Sequence, residues 1–315
     1  MDLGVPMYRI DPVLDLYEEF TPPAMRQRLV ELMRCRGDVQ ALRMILDRRG
    51  LLSWLHSCGV CSDRVLADLV PPLPPIGIRR ITAEPTTEMF LVTGLVDLMS
   101  LLTAFRQAAA ARPVDRPRVL DFGCGGGRLL RFFCAAADRW DATGVEVHAD
   151  MAAWCAASLP NVTSVHGGVR PPLPLADADF DLVYSFSVFT HLDRDSSREW
   201  LGELRRILRP GAFLIATTHG LPFVRYVQRS EPHQRITNLG ADEGRELERE
   251  MHEHGIAFVP YPAASQESTQ VGDRYGITFI SAAYVAEQWA AEGFEIVEHR
   301  QGGLRDQDVV VARRR

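Results

Sequence analysis

Two hydrophobic rhythms divide the chain. Up to about residue 110 the apolar positions recur at helical spacing, three or four residues apart. Pro12 to Arg34 carries Val13, Leu16, Tyr17, Phe20, Met25, Leu29, Leu32 and Met33 in this way, with a break at Pro22-Pro23. Val39 to Leu46 predicts a second short helix, Leu51 to Leu55 begins a third, and Ser62-Asp63 caps a fourth that ends before Pro71. Pro71 to Pro75 predicts a stiff extended connector, because proline fixes φ and lacks the N–H a helix needs. Thr86-Thr87-Glu88 then opens a long helix through Phe105, with Met89, Phe90, Val92, Leu95, Val96, Leu98, Leu101 and Leu102 as its apolar positions. Such faces must be buried against something. They form a covering layer, a cap over a substrate pocket, or both.

From Arg118 the rhythm becomes strand, helix, strand, helix. Short apolar runs predict strands at Arg118 to Phe122, Ala142 to Val147, Val162 to His166, Asp181 to Phe186, Ala212 to Thr217, Phe294 to His299 and Asp308 to Val311. Helices are predicted at Arg128 to Ala137 (apolar face Leu129, Phe132, Phe133), Asp150 to Ser158, Arg198 to Leu208 with Asp195 or Ser196 as cap, and Ser281 to Ala291, ended by Gly293. Crossovers this short imply a parallel sheet with helices on both faces, and a mixed far edge where the last two strands pair antiparallel. Leu221 to about Phe279 interrupts the alternation. It is too long for a bare loop, so it predicts an insertion, a lid or substrate-binding element, with one helical segment from Asp242 to His254.

The chemistry concentrates at Asp121-Phe122-Gly123-Cys124-Gly125-Gly126-Gly127-Arg128. A strand running into a glycine turn and a helix start exposes backbone N–H groups, which attract an anionic ligand group. Glycine permits positive φ and lets a ligand lie on the backbone. A dinucleotide fingerprint would want glycine at 128, where Arg128 stands, which argues against a nicotinamide oxidoreductase.

Composition narrows the classes. The 315 residues suit one large domain or two modest ones, and 46% apolar content supplies a core. Net charge is −6, and all 35 basic residues are arginine. The acidic balance points away from nucleic acid, and the absence of lysine excludes Schiff-base chemistry and a Walker loop. Cys58 and Cys61 have the spacing of half a zinc site, with no second pair. His252-Glu253-His254 is read as a solvated helix rather than a ligand set, so no metal is expected. No apolar run is long enough for a membrane span and no signal peptide is evident, so a cytoplasmic protein with reduced thiols is expected.

The pattern Asp-x-Gly-x-Gly-x-Gly resembles the first motif of the class I S-adenosylmethionine-dependent methyltransferases. Phe180 to Ser185 is similar to that family's fourth-strand motif, and Leu204 to Gly211 to its helix-to-fifth-strand junction. The resemblance covers about 200 residues, from Arg118 onward. It implies an α/β, Rossmann-like seven-stranded methyltransferase sheet over residues 113–315, interrupted at about 221–279, with a helical cap region at 1–112. It further implies S-adenosyl-L-methionine as cofactor, held by Asp121, Gly123, Cys124, Gly125, Gly127, Glu146, Val147, Gly168, Val169, Ser185 and Phe186. Glu146, about 20 residues after the glycine turn, would accept the two ribose hydroxyls. Where the family often has Gly-Asp-Ala after the third strand, this chain has Gly167-Gly168-Val169, so adenine would meet backbone. The expected reaction is methyl transfer to oxygen or nitrogen of a small-molecule acceptor, a natural product or a sugar, with no nucleic-acid or membrane partner. A cofactor-binding scaffold or regulator on the same fold is the alternative. His191 and His219, just beyond the fourth and fifth strands, are candidate general bases, and Tyr184 and Tyr275 are candidates to orient the acceptor.

Overall fold

The computed structural model describes residues 71–81, 89–262 and 274–315. The four helices expected before Pro71, Cys58 and Cys61, and the Thr86-Thr87-Glu88 helix start lie outside the described residues. Pro71 to Pro75 is extended without regular structure, as its prolines dictate, and runs into a short helix α1, Ile76–Ile81. A π turn, Met89–Thr93, leads into α2, Gly94–Ala108.

Seven strands form the main sheet: β1 Arg118–Phe122, β2 Asp141–Glu146, β3 Thr163–His166, β4 Phe180–Ser185, β5 Leu208–Thr218, β8 Phe294–Leu304 and β9 Gln307–Arg314. Their order is β3-β2-β1-β4-β5-β9-β8. The first five are parallel, and β9 runs antiparallel between β5 and β8. The order reverses between β1 and β4, the switch point at which ligands settle beyond the strands' carboxyl ends.

Alternate side chains of the central strands feed two cores. Val119, Leu182, Tyr184, Phe213, Ile215, Val309 and Val311 point to one face, against Leu98, Leu101, Leu102 and Phe105 of α2. Leu120, Val183, Leu214, Val310 and Ala312 point to the other. There α4, Arg194–Ile207, contributes Trp200, Leu201, Leu204 and Ile207. The cap of α4 is Asp193, not Asp195 or Ser196, and its Oδ1 accepts from the Ser196 N–H at 2.7 Å. The helix α3, Ala149–Ser158, connects β2 to β3.

Two local expectations change. The glycine turn does not open an α-helix; Leu130–Ala135 is a 3₁₀ helix. A three-residue turn brings Leu130 and Phe133 onto one face, and both are fully buried. The insertion holds more structure than expected. Its helices are α5 Leu221–Arg229, α6 Glu231–Thr237 and α7 Ala241–His254, and its strands β6 Ile256–Pro260 and β7 Gly276–Ile280 pair antiparallel. Phe223, Val224, Val227, Leu247, Met251, Ile277 and Phe279 give it a core of its own. Ser281 then caps α8, Ala282–Tyr284, which continues into a π turn.

Candidate active site

The glycine turn leaves β1 with Gly123, Gly125 and Gly127 at φ of 82°, 55° and 73°, values that side chains rarely adopt. Gly123 is exposed at the carboxyl edge, while Gly125 and Gly127 are buried. The N–H groups of Gly123 and Cys124 both reach the Val145 carbonyl, at 2.9 and 3.0 Å. Glu146, at the end of β2, is buried. Its Oε2 accepts from the Gly125 N–H at 2.7 Å and its Oε1 from the His148 N–H at 2.9 Å. The predicted ribose acceptor therefore also ties the glycine turn to the β2 edge. Asp121 is buried behind the turn, and that burial pushes its carboxyl up to about 7 against the opposing pull of the Tyr184 hydroxyl and the Arg128 charge.

Arg128 is held by a buried ion pair, 2.6 Å from Asp97 of α2, and lies 4.7 Å over the ring of Phe186. Ser185 is fully buried, and Val147 stands at the mouth of β2, its carbonyl 3.0 Å from His166 Nε2. Gly168 and Val169 are exposed beyond β3, an open backbone surface suited to a flat ring.

The two histidines part company. His191 is half-buried in the loop after β4, its Nδ1 2.9 Å from the Gly276 carbonyl and its ring 5.0 Å from that of Tyr275. Burial lowers its proton affinity below the usual 6.5, while the Gly276 carbonyl works the other way. His219 is walled in, its ring 3.9 Å from Phe223 and 5.7 Å from Phe279. Burial drives its pKa down to about 3, so it is a poor base near neutrality, and the expectation that it shares His191's role is corrected. Tyr184 is likewise corrected. It is fully buried in the core rather than open to an acceptor, with its ring stacked on Phe133 at 6.3 Å. The cause is strand parity, since residue 184 shares the face of Leu182 against α2.

Residues 119–211 match a family model described as a methyltransferase domain. Over this stretch the chain is similar to methyltransferase domains, and its sheet order is the one that the class I resemblance implies. S-adenosylmethionine is the cofactor of such domains. Among curated relatives, the chain is 36% identical over 126 residues to a malonyl-[acyl-carrier protein] O-methyltransferase of Enterobacter lignolyticus, covering 37% of this chain and 47% of that one. It is 27% identical over 191 residues to a ubiquinone biosynthesis O-methyltransferase of Mesorhizobium japonicum, covering 59% and 71%. The chain thus spans about half the length of the first of these. A solved structure from Listeria monocytogenes, a putative S-adenosylmethionine-dependent methyltransferase, aligns over 71% of this chain and 98% of its own with a TM-score of 0.47 and 12% identity.

The residues of the site fit this cofactor. Two hydrogen bonds leave Glu146 with acceptor capacity for ribose hydroxyls. The buried Oδ2 of Asp121 has no hydrogen-bond partner, so it has acceptor capacity left for a cationic group. Three site features escaped the sequence. Arg128 stood out only as a missing glycine, and its pairing with Asp97 spans 31 residues. Gly276 and Tyr261 meet His191 through β6 and β7. The runs Ile256 to Val259 and Gly276 to Ile280, bounded by Gly255 and Pro260, were the available signal.

Proposed function

We propose that the chain transfers the methyl group of S-adenosylmethionine to an oxygen of a small-molecule acceptor, a natural product or a sugar, with His191 as general base. The observation that carries the base assignment is the Nδ1 contact to the Gly276 carbonyl. A carbonyl only accepts, so Nδ1 holds the proton and Nε2 keeps its lone pair. Lowered proton affinity keeps the ring neutral at physiological pH, the form a base requires.

The cofactor supplies an activated methyl group, so the protein's work is alignment, exclusion of water and removal of one proton. Glu146 and the glycine turn would hold the ribose, and the unpartnered Asp121 oxygen would be available to the amino-acid end. Gly168 and Val169 present backbone to the adenine. His191 Nε2 would take the acceptor's hydroxyl proton. The insertion's β6 and β7 would shape the acceptor side, with Tyr275 stacked beside His191.

Calorimetry should show binding of S-adenosylmethionine and its demethylated product, and none of NAD. With an acceptor in hand, His191→Ala should lower turnover by about 100-fold or more while cofactor affinity holds. The wild-type acid limb should lie below pH 6.5 and vanish in the variant. A carboxylate acceptor, such as the name of the first relative indicates for that protein, needs no base. It would leave rate and pH profile unchanged in His191→Ala and overturn the base assignment.

A further inference from the structure

We infer that Tyr261 is a positioning residue for His191, sharing the Nδ1 proton with the Gly276 carbonyl and stabilising the protonated ring. The inference rests on the His191 assignment for its catalytic meaning, and on geometry alone for its physical content.

Two oxygens converge on one nitrogen. The Gly276 carbonyl is 2.9 Å from His191 Nδ1 and the Tyr261 hydroxyl is 3.1 Å from it. Because the carbonyl has already placed the proton on Nδ1, that nitrogen has no lone pair to offer Tyr261. The Tyr261 oxygen is therefore the second acceptor of a three-centre bond. Burial pushes Tyr261 up to about 12, so its oxygen stays a neutral phenol across the working range.

The scaffold around this contact is built from the insertion. Gly276 binds His191 twice, donating its own N–H to the His191 carbonyl at 3.0 Å and accepting from the ring. A side chain at Gly276 would collide with the Val259 carbonyl of β6, so the close approach requires glycine. Tyr261 is pinned in turn by its N–H to the Tyr275 carbonyl at 3.2 Å, and the rings of Tyr261 and Tyr275 lie 6.0 and 5.0 Å from His191. Of the other titratable groups, Tyr275 stacks on His191, with the Glu146 carboxylate acting on Tyr275 in turn, and His219 acts on His191 from the end of β5. His219, from the end of β5, is neutral above about pH 3. Asp193 is neutralised by Arg274 at 3.0 Å, which also holds Glu199.

The arrangement has a direct consequence for proton transfer. When Nε2 takes a proton, positive charge develops over the ring, and both oxygens at Nδ1 bond it more strongly. Losing one of them lowers the His191 pKa and weakens the base, while the carbonyl alone still fixes the tautomer.

The test needs no acceptor. The full chain, labelled with ¹⁵N-histidine, is titrated by NMR as wild type and as Tyr261→Phe, with His191→Gln identifying the resonance. The wild-type ring should be the Nδ1–H form at neutral pH. In Tyr261→Phe it should keep that form and its pKa should fall by about half a unit, the scale of one shared hydrogen bond. Affinity for S-adenosylhomocysteine and the melting temperature, measured on the same samples, should not change. A wild-type Nε2–H form, or an unmoved pKa in a folded Tyr261→Phe, overturns the inference. If Tyr261→Phe melts early, Tyr261→Met, which also lacks the acceptor oxygen and fills the site with a flexible apolar chain, is measured in its place under the same criteria. Failure of the base assignment reads out separately, as turnover that survives His191→Ala while the NMR result stands.

Discussion

A carboxylate accepts about four hydrogen bonds, and Glu146 directs two of its places to the backbone of Gly125 and His148. Replacing it by alanine would release the glycine turn as well as the ribose. Glu146→Ala should therefore weaken S-adenosylhomocysteine binding by more than the roughly 1.5–3 kcal/mol of a charged hydrogen bond alone, and should lower the melting temperature in the absence of ligand. Calorimetry and thermal unfolding separate the two effects. His219 offers a second measurement at the same scale. Its folded pKa is about 3 and its ordinary value 6.5, so between them the unfolded chain binds a proton that the folded chain refuses. Its contribution to stability is complete above about pH 6.5 and is lost as pH falls toward 3. His219→Phe should flatten that part of the urea-unfolding profile between pH 7.5 and 5. Legibility differs sharply among these residues. Position after an apolar run located Glu146 and His191 at the carboxyl edge. Nothing local distinguished His191 from His219, because the difference is made by Phe223, Phe279, Tyr261 and Gly276, which reach them through the insertion.

Among the elements, the glycine turn is pressed from outside by the segment that precedes α2. A Cβ on Gly126 would stand 2.5 Å from Ile78 of α1 and 3.4 Å from Pro74 of the connector. Arg131 donates to the carbonyls of Pro71 and Pro72 from beneath. Gly126 has no positive φ, so substitution there probes packing and not backbone strain. Gly126→Ala should cost about 1–3 kcal/mol by overpacking and expose residues 71–81 to limited proteolysis. Ile78→Ala in the same chain should restore protection. The strands of the sheet were legible because each is an apolar run bounded by turn residues. The 3₁₀ helix was not, since Leu130 and Phe133 satisfy a three-residue and a 3.6-residue repeat alike. Strands β6 and β7 were overlooked because they lie inside a stretch that breaks the strand–helix alternation, and their pairing joins residues 256 to 280.

For the molecule as a whole, α2 belongs to the sheet's core. Leu98, Leu101 and Leu102 are fully buried against it, and the Phe105 ring meets that of Phe213 at 6.0 Å. A chain cut at 112 would bare one face of the sheet and should aggregate, whereas a chain beginning at 71 should fold and bind S-adenosylhomocysteine. Light scattering and calorimetry on the two truncations check this. The insertion behaves differently, because its ends meet. It leaves after β5 at Gly220 and returns at Ile280, whose N–H bonds the His219 carbonyl at 2.8 Å. Whatever lies between, the distance to be bridged stays the same, and closing a longer or shorter excursion changes the chain entropy only logarithmically. Descendants of this gene are accordingly free to lengthen, shorten or exchange the excursion without shifting β9 or β8 in register.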